Sequence, residues 1–257
     1  MSALSYIERP SPNFDTRTRA IDLVVLHYTG MQDGETALAR LTDPAPVAGK
    51  FPGPWQDKKI APDAPLARVS SHYVVGEDGA IYRVVPEHHR AWHAGASSWR
   101  GEGDVNARAI GIEIVNGGHD FGLPDFPEAQ IVSVIALVKD ILARNKLDAA
   151  CVVAHSDIAP DRKLDPGEKF PWKRLADAGA AIWPSTPTKT FEPTSGEAIS
   201  QVQQQLAAFG YGVSQTGAMD AATHNALSAF QRRFRPALIN GAPDAETAAL
   251  LASLTRA

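Results

Sequence analysis

Two short β-branched runs, IDLVVLH (21–27) and CVVAH (151–155), each close on a histidine. Runs this continuous in apolar residues suit strands covered on both faces, so the chain needs a sheet with other elements packed on it. Two more runs fit the same sheet. AIGIEIVN (109–116) is nearly all apolar, and HYVVGEDGAIYRVV (72–85) reads as a hairpin turning at Glu77, Asp78 and Gly79. Between them, Ile131, Val134, Ile135, Val138 and Leu142 recur at helical spacing, which predicts a helix over Glu128–Asn145 behind Pro127. Shorter helices are expected at Glu35–Leu41 and Trp172–Ala178. The expected fold class is α/β, a central mixed sheet flanked by helices.

The stretch WPSTPTKTFEPTSG (183–196) loses all periodicity and reads as a linker. Beyond it every pattern is helical. Ile199, Val202, Leu206 and Phe209 form one stripe, Thr223, Leu227, Phe230 and Phe234 a second, and Leu250, Leu251 and Leu254 a third. GAMDAAT (217–223) and GAPDAET (241–247) repeat G-x-x-D-x-x-T, in which glycine permits a tight turn and aspartate caps the next helix. The organisation read from this is a large unit over 1–182, a linker over 183–196 and a small three-helix domain over 197–257. The Pro- and Gly-rich segment 44–65 is long for a loop, and its Trp55 suits either a cleft wall or a packed anchor.

A net charge of −4 leaves no basic footprint for nucleic acid. Arg232, Arg233 and Arg235 read as the solvated face of a helix. The single cysteine, Cys151, reads as a small core residue of its strand. The N-terminal residues carry neither a basic segment nor an apolar one, so the expected compartment is the cytoplasm, or the periplasm if a leader has been removed. No run is long enough to span a bilayer.

The chemistry gathers around the two strand-end histidines. Alternation puts His27 on one face with Leu23 and Val25, and His155 on one face with Cys151 and Val153. If the strands are neighbours, Asp165 on the following loop can join them. Two neutral imidazoles and a carboxylate suit Zn²⁺ and leave a fourth position for water. The competing reading has each histidine hydrogen-bonded locally at its strand end, and spacing alone does not decide between them. Glu113 sits mid-strand among Ile112 and Ile114, where a carboxylate is costly unless paired or functional. It is either a general base beside the metal or half of a salt bridge to Arg108 or Arg83. Lys163 is either an oxyanion stabiliser or a solvated surface lysine.

The segments LVVLHYTG, SSHYVVGEDGAIYRVV, AWHAGASSW, NARAIGIEIVN and AHSDIAPDRKLDPG, in this order, resemble the zinc-dependent N-acetylmuramoyl-L-alanine amidases of the AmpD and AmiD type. The resemblance covers about residues 5 to 180. That family is related in fold to peptidoglycan recognition proteins. The tail resembles the small helical peptidoglycan-binding module found on cell-wall hydrolases. The resemblance implies one zinc ion on His27, His155 and Asp165, with Glu113 as acid and base and Lys163 holding the oxyanion. It implies no metal on His72 or His93, and it puts Tyr28, Trp92, His93 and Asn106 along or behind the substrate cleft. The implied partners are peptidoglycan or soluble muropeptides, and the implied reaction is cleavage between (anhydro-)N-acetylmuramic acid and L-alanine; the sequence leaves the oligomeric state open, with a monomer favoured. A non-catalytic recognition protein and a zinc peptidase acting within the stem peptide are the competing functions. The first is disfavoured by the complete ligand set, the second by the order of the motifs.

Overall fold

The computed structural model describes residues 4–51, 60–185 and 196–255, so Trp55 and most of the expected linker lie outside the described residues. The strands are β1 (Ile7–Glu8), β2 (Phe14–Thr16), β3 (Leu23–Tyr28), β4 (Tyr73–Val75), β5 (Ile81–Arg83), β6 (His89–Ala91), β7 (Ser98–Trp99), β8 (Glu102–Gly103), β9 (Ala109–Ile114) and β10 (Val152–Ala154). The helices are α1 (Gly34–Thr42), α2 (Glu128–Asn145), α3 (His155–Ile158), α4 (Trp172–Asp177), α5 (Gly196–Phe209), α6 (Ala221–Phe234) and α7 (Ala245–Thr255).

Six strands make one mixed sheet in the order β1-β5-β4-β9-β3-β10. Its centre is parallel: β3 pairs with both β9 and β10, bringing Val153 opposite Val25 and Glu113 opposite His27. The expected hairpin is β4–β5, antiparallel, turning through Gly79. β1, β2, β6, β7 and β8, of two or three residues each, were not expected, because so short a run shows no periodicity.

Alternation divides the central strands between two cores. Val24, Leu26, Ile110, Ile112, Ile114, Val152 and Ala154 face α2 and α4, where Ile131, Val134, Leu137, Val138 and Ile141 are fully buried. The opposite face carries Leu23, Val25, Ala109 and Val153, and these join a core built with Val202, Leu206, Phe209, Leu227 and Phe230 of the tail helices. The tail is therefore the second layer over this sheet face. Trp99 meets it edge-on to Phe209 and Tyr211, at centroid distances of 5.7 and 5.3 Å. Within the tail, the G-x-x-D-x-x-T echo does what its residues suggest. Asp220 accepts from Thr223 N and Asp244 from Thr247 N, each after a glycine in the left-handed region.

Three expectations are corrected. Arg233 and Arg235 are not a solvated face: they are 2% and 6% exposed, and Arg232 is largely covered too. Each meets a carboxylate: Asp157 for Arg233, Asp244 and Glu246 for Arg235, and Glu168 for Arg232. Cys151 is not a strand core residue but half-buried in a turn ahead of β10, with its thiol facing Asp148. His155 does not end the strand either; it opens α3, so strand alternation does not set its direction.

Arg17 and His72 tie the hairpin to β9. His72 is buried, its Nδ1 accepts from Gly111 N, and its Nε2–H donates to the His89 carbonyl. Arg17 donates to the carbonyls of Glu87, Ala107 and Ala109. Burial, reinforced by the Arg17 charge, pushes the His72 imidazole down to about 3. The unfolded chain takes up this proton near pH 6.5 and the folded chain does not. Stability is thus full above pH 6.5 and falls as pH drops toward 3, by about 1.4 kcal/mol per pH unit for this one group. Urea midpoints of the metal-free chain between pH 7 and 4.5 should show this loss. His72→Gln should have a slope shallower by one proton, and an unchanged slope would refute the assignment.

Candidate metal centre and cleft

His27 comes from the carboxyl end of β3, His155 from the first residue of α3, and Asp165 from the loop beyond it. The carboxyl ends of parallel strands are where an open α/β sheet leaves a crevice. The structure brings all three side chains together. His27 Nδ1 lies 2.8 Å from His155 Nδ1, and Asp165 Oδ2 lies 3.0 and 2.9 Å from these two nitrogens. All three residues are buried, at 1%, 3% and 5% exposure. Asp165 is also held through its backbone, its carbonyl accepting from Ser156 N at 2.9 Å.

The outer partners decide which atoms carry protons. His155 Nε2 faces the Ala94 carbonyl, which can only accept, so that nitrogen holds the ring's proton. His27 Nε2 lies 3.0 Å from His93 Nδ1. The inner nitrogen of His155 is therefore a bare lone pair, and that of His27 is one as well when His27 Nε2 donates to His93. Burial and the neighbouring His155 push the His27 imidazole down to about 4, so it is neutral at physiological pH. Burial alone would raise the Asp165 carboxyl, but the His155 and His27 rings hold it well below the usual carboxylate range. Three electron-pair donors thus converge on one buried point. That donor set fits a divalent cation, and two neutral imidazoles with one carboxylate suit zinc. Among the described residues this is the one such cluster of histidine, cysteine and acidic groups.

Glu113 stands on the same face of the sheet, directly across from His27. Neither proposed salt bridge exists: Arg108 binds Asp22, and Arg83 binds Glu8. Its Oε2 is sealed from solvent without a hydrogen-bond partner. Burial, and next the Asp165 charge, push its carboxyl well above the usual range, with Lys163 opposing. Lys163 is half-buried at the cleft, and its ammonium forms no ion pair with the described residues.

These residues line a cleft of about 590 Å³, within the range of small-molecule sites. Tyr28, Trp92 and His93 also line it. Trp92 donates from Nε1 to Asp15, and Arg68 stacks over its ring at 5.0 Å. His93 packs so closely on β9 that a Cβ at Gly111 would come within 2.4 Å of its ring. Asn106 does not reach the cleft surface. Its Oδ1 accepts from His93 N and Ala94 N, so it fixes the strip that supports both metal-facing histidines. Tyr28 donates from its hydroxyl to His119 Nδ1, and His119 Nε2 donates to Glu168. Sequence reasoning passed over His119 and Arg162. His119 lies in the glycine-bracketed GGHDFG loop, a usable signal. Arg162 donates to the Ala94 and Ala96 carbonyls and shares the cleft wall.

Comparison with known proteins agrees with this geometry. Residues 17–168 match the family described as N-acetylmuramoyl-L-alanine amidase, and residues 195–251 match a putative peptidoglycan binding domain. The N-acetylmuramoyl-L-alanine amidase AmiD of Escherichia coli K12 is 35% identical, over 96% of this chain and 89% of its own length. The solved complex of that enzyme with anhydro-N-acetylmuramic acid-L-Ala-D-gamma-Glu-L-Lys superposes with a TM-score of 0.73, over 93% of this chain and 92% of the other. AmpDh3 of Pseudomonas aeruginosa, in complex with an anhydromuramic pentapeptide, is 32% identical with a TM-score of 0.68, covering 92% and 91% of the two chains.

Proposed function

The chain belongs to the N-acetylmuramoyl-L-alanine amidase family, and we propose that it cleaves the amide between the lactyl group of (1,6-anhydro-)N-acetylmuramic acid and L-alanine at the cleft of His27, His155 and Asp165, with one zinc ion held by those three residues. The observation that carries the proposal is the convergence of ligand atoms from His27, His155 and Asp165 on one buried point beside a carboxylate with no partner. Bound there, zinc supplies Lewis acidity toward a carbonyl oxygen and acidifies a nearby water.

The protein's own groups divide the remaining work. Glu113, beside His27 and with its carboxyl raised by burial, is the group that takes a proton from water and returns it to the leaving nitrogen of L-alanine. Lys163 brings a positive charge, unpaired among the described residues, to the side where negative charge develops on the carbonyl oxygen. Trp92, Tyr28 and His93 give the cleft its walls, and Asn106 keeps His93 in place.

The substrates are peptidoglycan fragments, and the residues over 197–257 are a wall-binding unit that also covers the sheet. The division at 183–196 is supported by the two separate family matches. Among the described residues no helix is long and apolar enough to cross a membrane. Fractionation of native cells separates the cytoplasm from the periplasm as its compartment. Incubation with an anhydromuramyl peptide should release free stem peptide beginning at L-alanine, detected by mass spectrometry. A chelator should abolish release and added zinc restore it. Intact substrate with the zinc-loaded chain, or cleavage within the peptide, would overturn the proposal.

A further inference from the structure

The tail reaches the metal centre through one carboxylate. Asp157 lies on α3, two residues after His155, and its side chain is 0% exposed. A carboxylate wholly removed from water is costly unless its oxygens are satisfied. Here both are. Oδ2 accepts from Ala154 N at 2.9 Å and from Arg233 Nη1 at 2.6 Å. Oδ1 accepts from the Tyr211 hydroxyl at 2.6 Å. Two of these three donors come from the tail. Arg233 also donates from Nη2 to the Val152 carbonyl at 2.9 Å, and its guanidinium stacks 4.2 Å over Trp172. It is therefore tied at once to the last strand, to α3 and to α4.

What hangs on Asp157 is the metal site itself. Helix α3 is a single turn, too short to hold its own shape. It begins with His155, and its Ser156 N–H holds the Asp165 backbone. A displacement of α3 would move two of the three donors together.

We propose that Arg233 and Tyr211 are positioning residues for the catalytic centre: through Asp157 they fix α3, so the tail module is a structural part of the metal site as well as a wall-binding unit. This rests on the metal-site reading above.

Three variants test it. Arg233→Met keeps bulk over Trp172 and removes every donor. Tyr211→Phe removes one hydroxyl. Leu206→Ala opens a cavity in the core shared by the tail and the sheet without touching Asp157. Zinc dissociation constants are measured by competition with a chromophoric chelator, alongside Tm of the metal-free chains and the kcat and KM split on an anhydromuramyl peptide. The expected result is zinc affinity weakened about tenfold in Arg233→Met, the low end of what loss of a direct outer partner of a metal ligand costs, and by a smaller factor in Tyr211→Phe. In both, kcat should fall more than KM rises. Leu206→Ala should lower Tm while holding zinc like the unaltered chain. Should Arg233→Met not fold, the comparison of Tyr211→Phe with Leu206→Ala decides. Equal zinc affinity in all chains would overturn this inference alone. So would loss of zinc by Leu206→Ala in proportion to its lost Tm. An unaltered chain that binds no zinc would overturn the metal-site reading and this inference with it.

Discussion

Glu113→Gln keeps its zinc and loses about 10²–10⁴-fold in turnover, the range a general acid and base contributes. The substitution is nearly isosteric, and the position makes no salt bridge, so the fold has little to lose. The parallel pairing of β9 with β3 fixes the backbone opposite His27. What the amide cannot do is carry a proton between two atoms. Burial has already shifted this carboxyl upward, bringing its proton affinity closer to that of the groups it must serve. Lys163→Ala should cost less, about 10²-fold, in line with removal of one oxyanion donor at about 3 kcal/mol. Measured zinc content near one per chain in both variants separates chemistry from metal loss. Turnover by Glu113→Gln at the rate of the unaltered chain would remove it from the mechanism.

The parts legible in the sequence were those whose residues declare burial. β3 and β9 appeared as runs because nearly every side chain in them is covered, and α2 as a stripe because one face of it is. The tail helices were legible for the same reason, and their caps because a glycine and an aspartate at fixed spacing have few other uses. Edge strands of two residues, such as β1 and β7, have no pattern to read. His27 followed from alternation, but the direction of His155 did not, since it opens a helix. Alternation named His155 as a strand-end residue, and the resemblance of its motif pointed to the same side chain.

Arg233 was misread for a physical reason. Arginine is rarely covered unless paired, and its partner lies 76 residues away on another unit. No local pattern encodes such a pair. The same holds for Asn106, whose value is two backbone N–H groups of the adjoining strip, and for His119, whose role depends on Tyr28 and Glu168. Sequence periodicity reports which face is apolar; it is silent on which polar groups meet across the fold.

Asp165→Ala should have the other large effect, and on binding rather than on proton transfer. The loop keeps its backbone anchor, because the Asp165 carbonyl that accepts from Ser156 N survives the change. Only the carboxylate disappears, leaving two neutral imidazoles and no negative charge to meet a divalent ion. Losing an outer partner of a metal ligand costs about 10- to 100-fold in affinity, so losing a ligand and its charge should cost at least about 10³-fold. Stability gives an independent readout. A ligand bound only by the folded state stabilises it by RT ln(1 + [L]/Kd), about 4 kcal/mol at a thousandfold excess over Kd. Added zinc should therefore raise Tm of the unaltered chain and leave that of Asp165→Ala unmoved at the same concentration. If Asp165→Ala kept stoichiometric zinc through dialysis against a weak chelator, the ion would have to sit elsewhere, and the assignment of His27 and His155 would go with it.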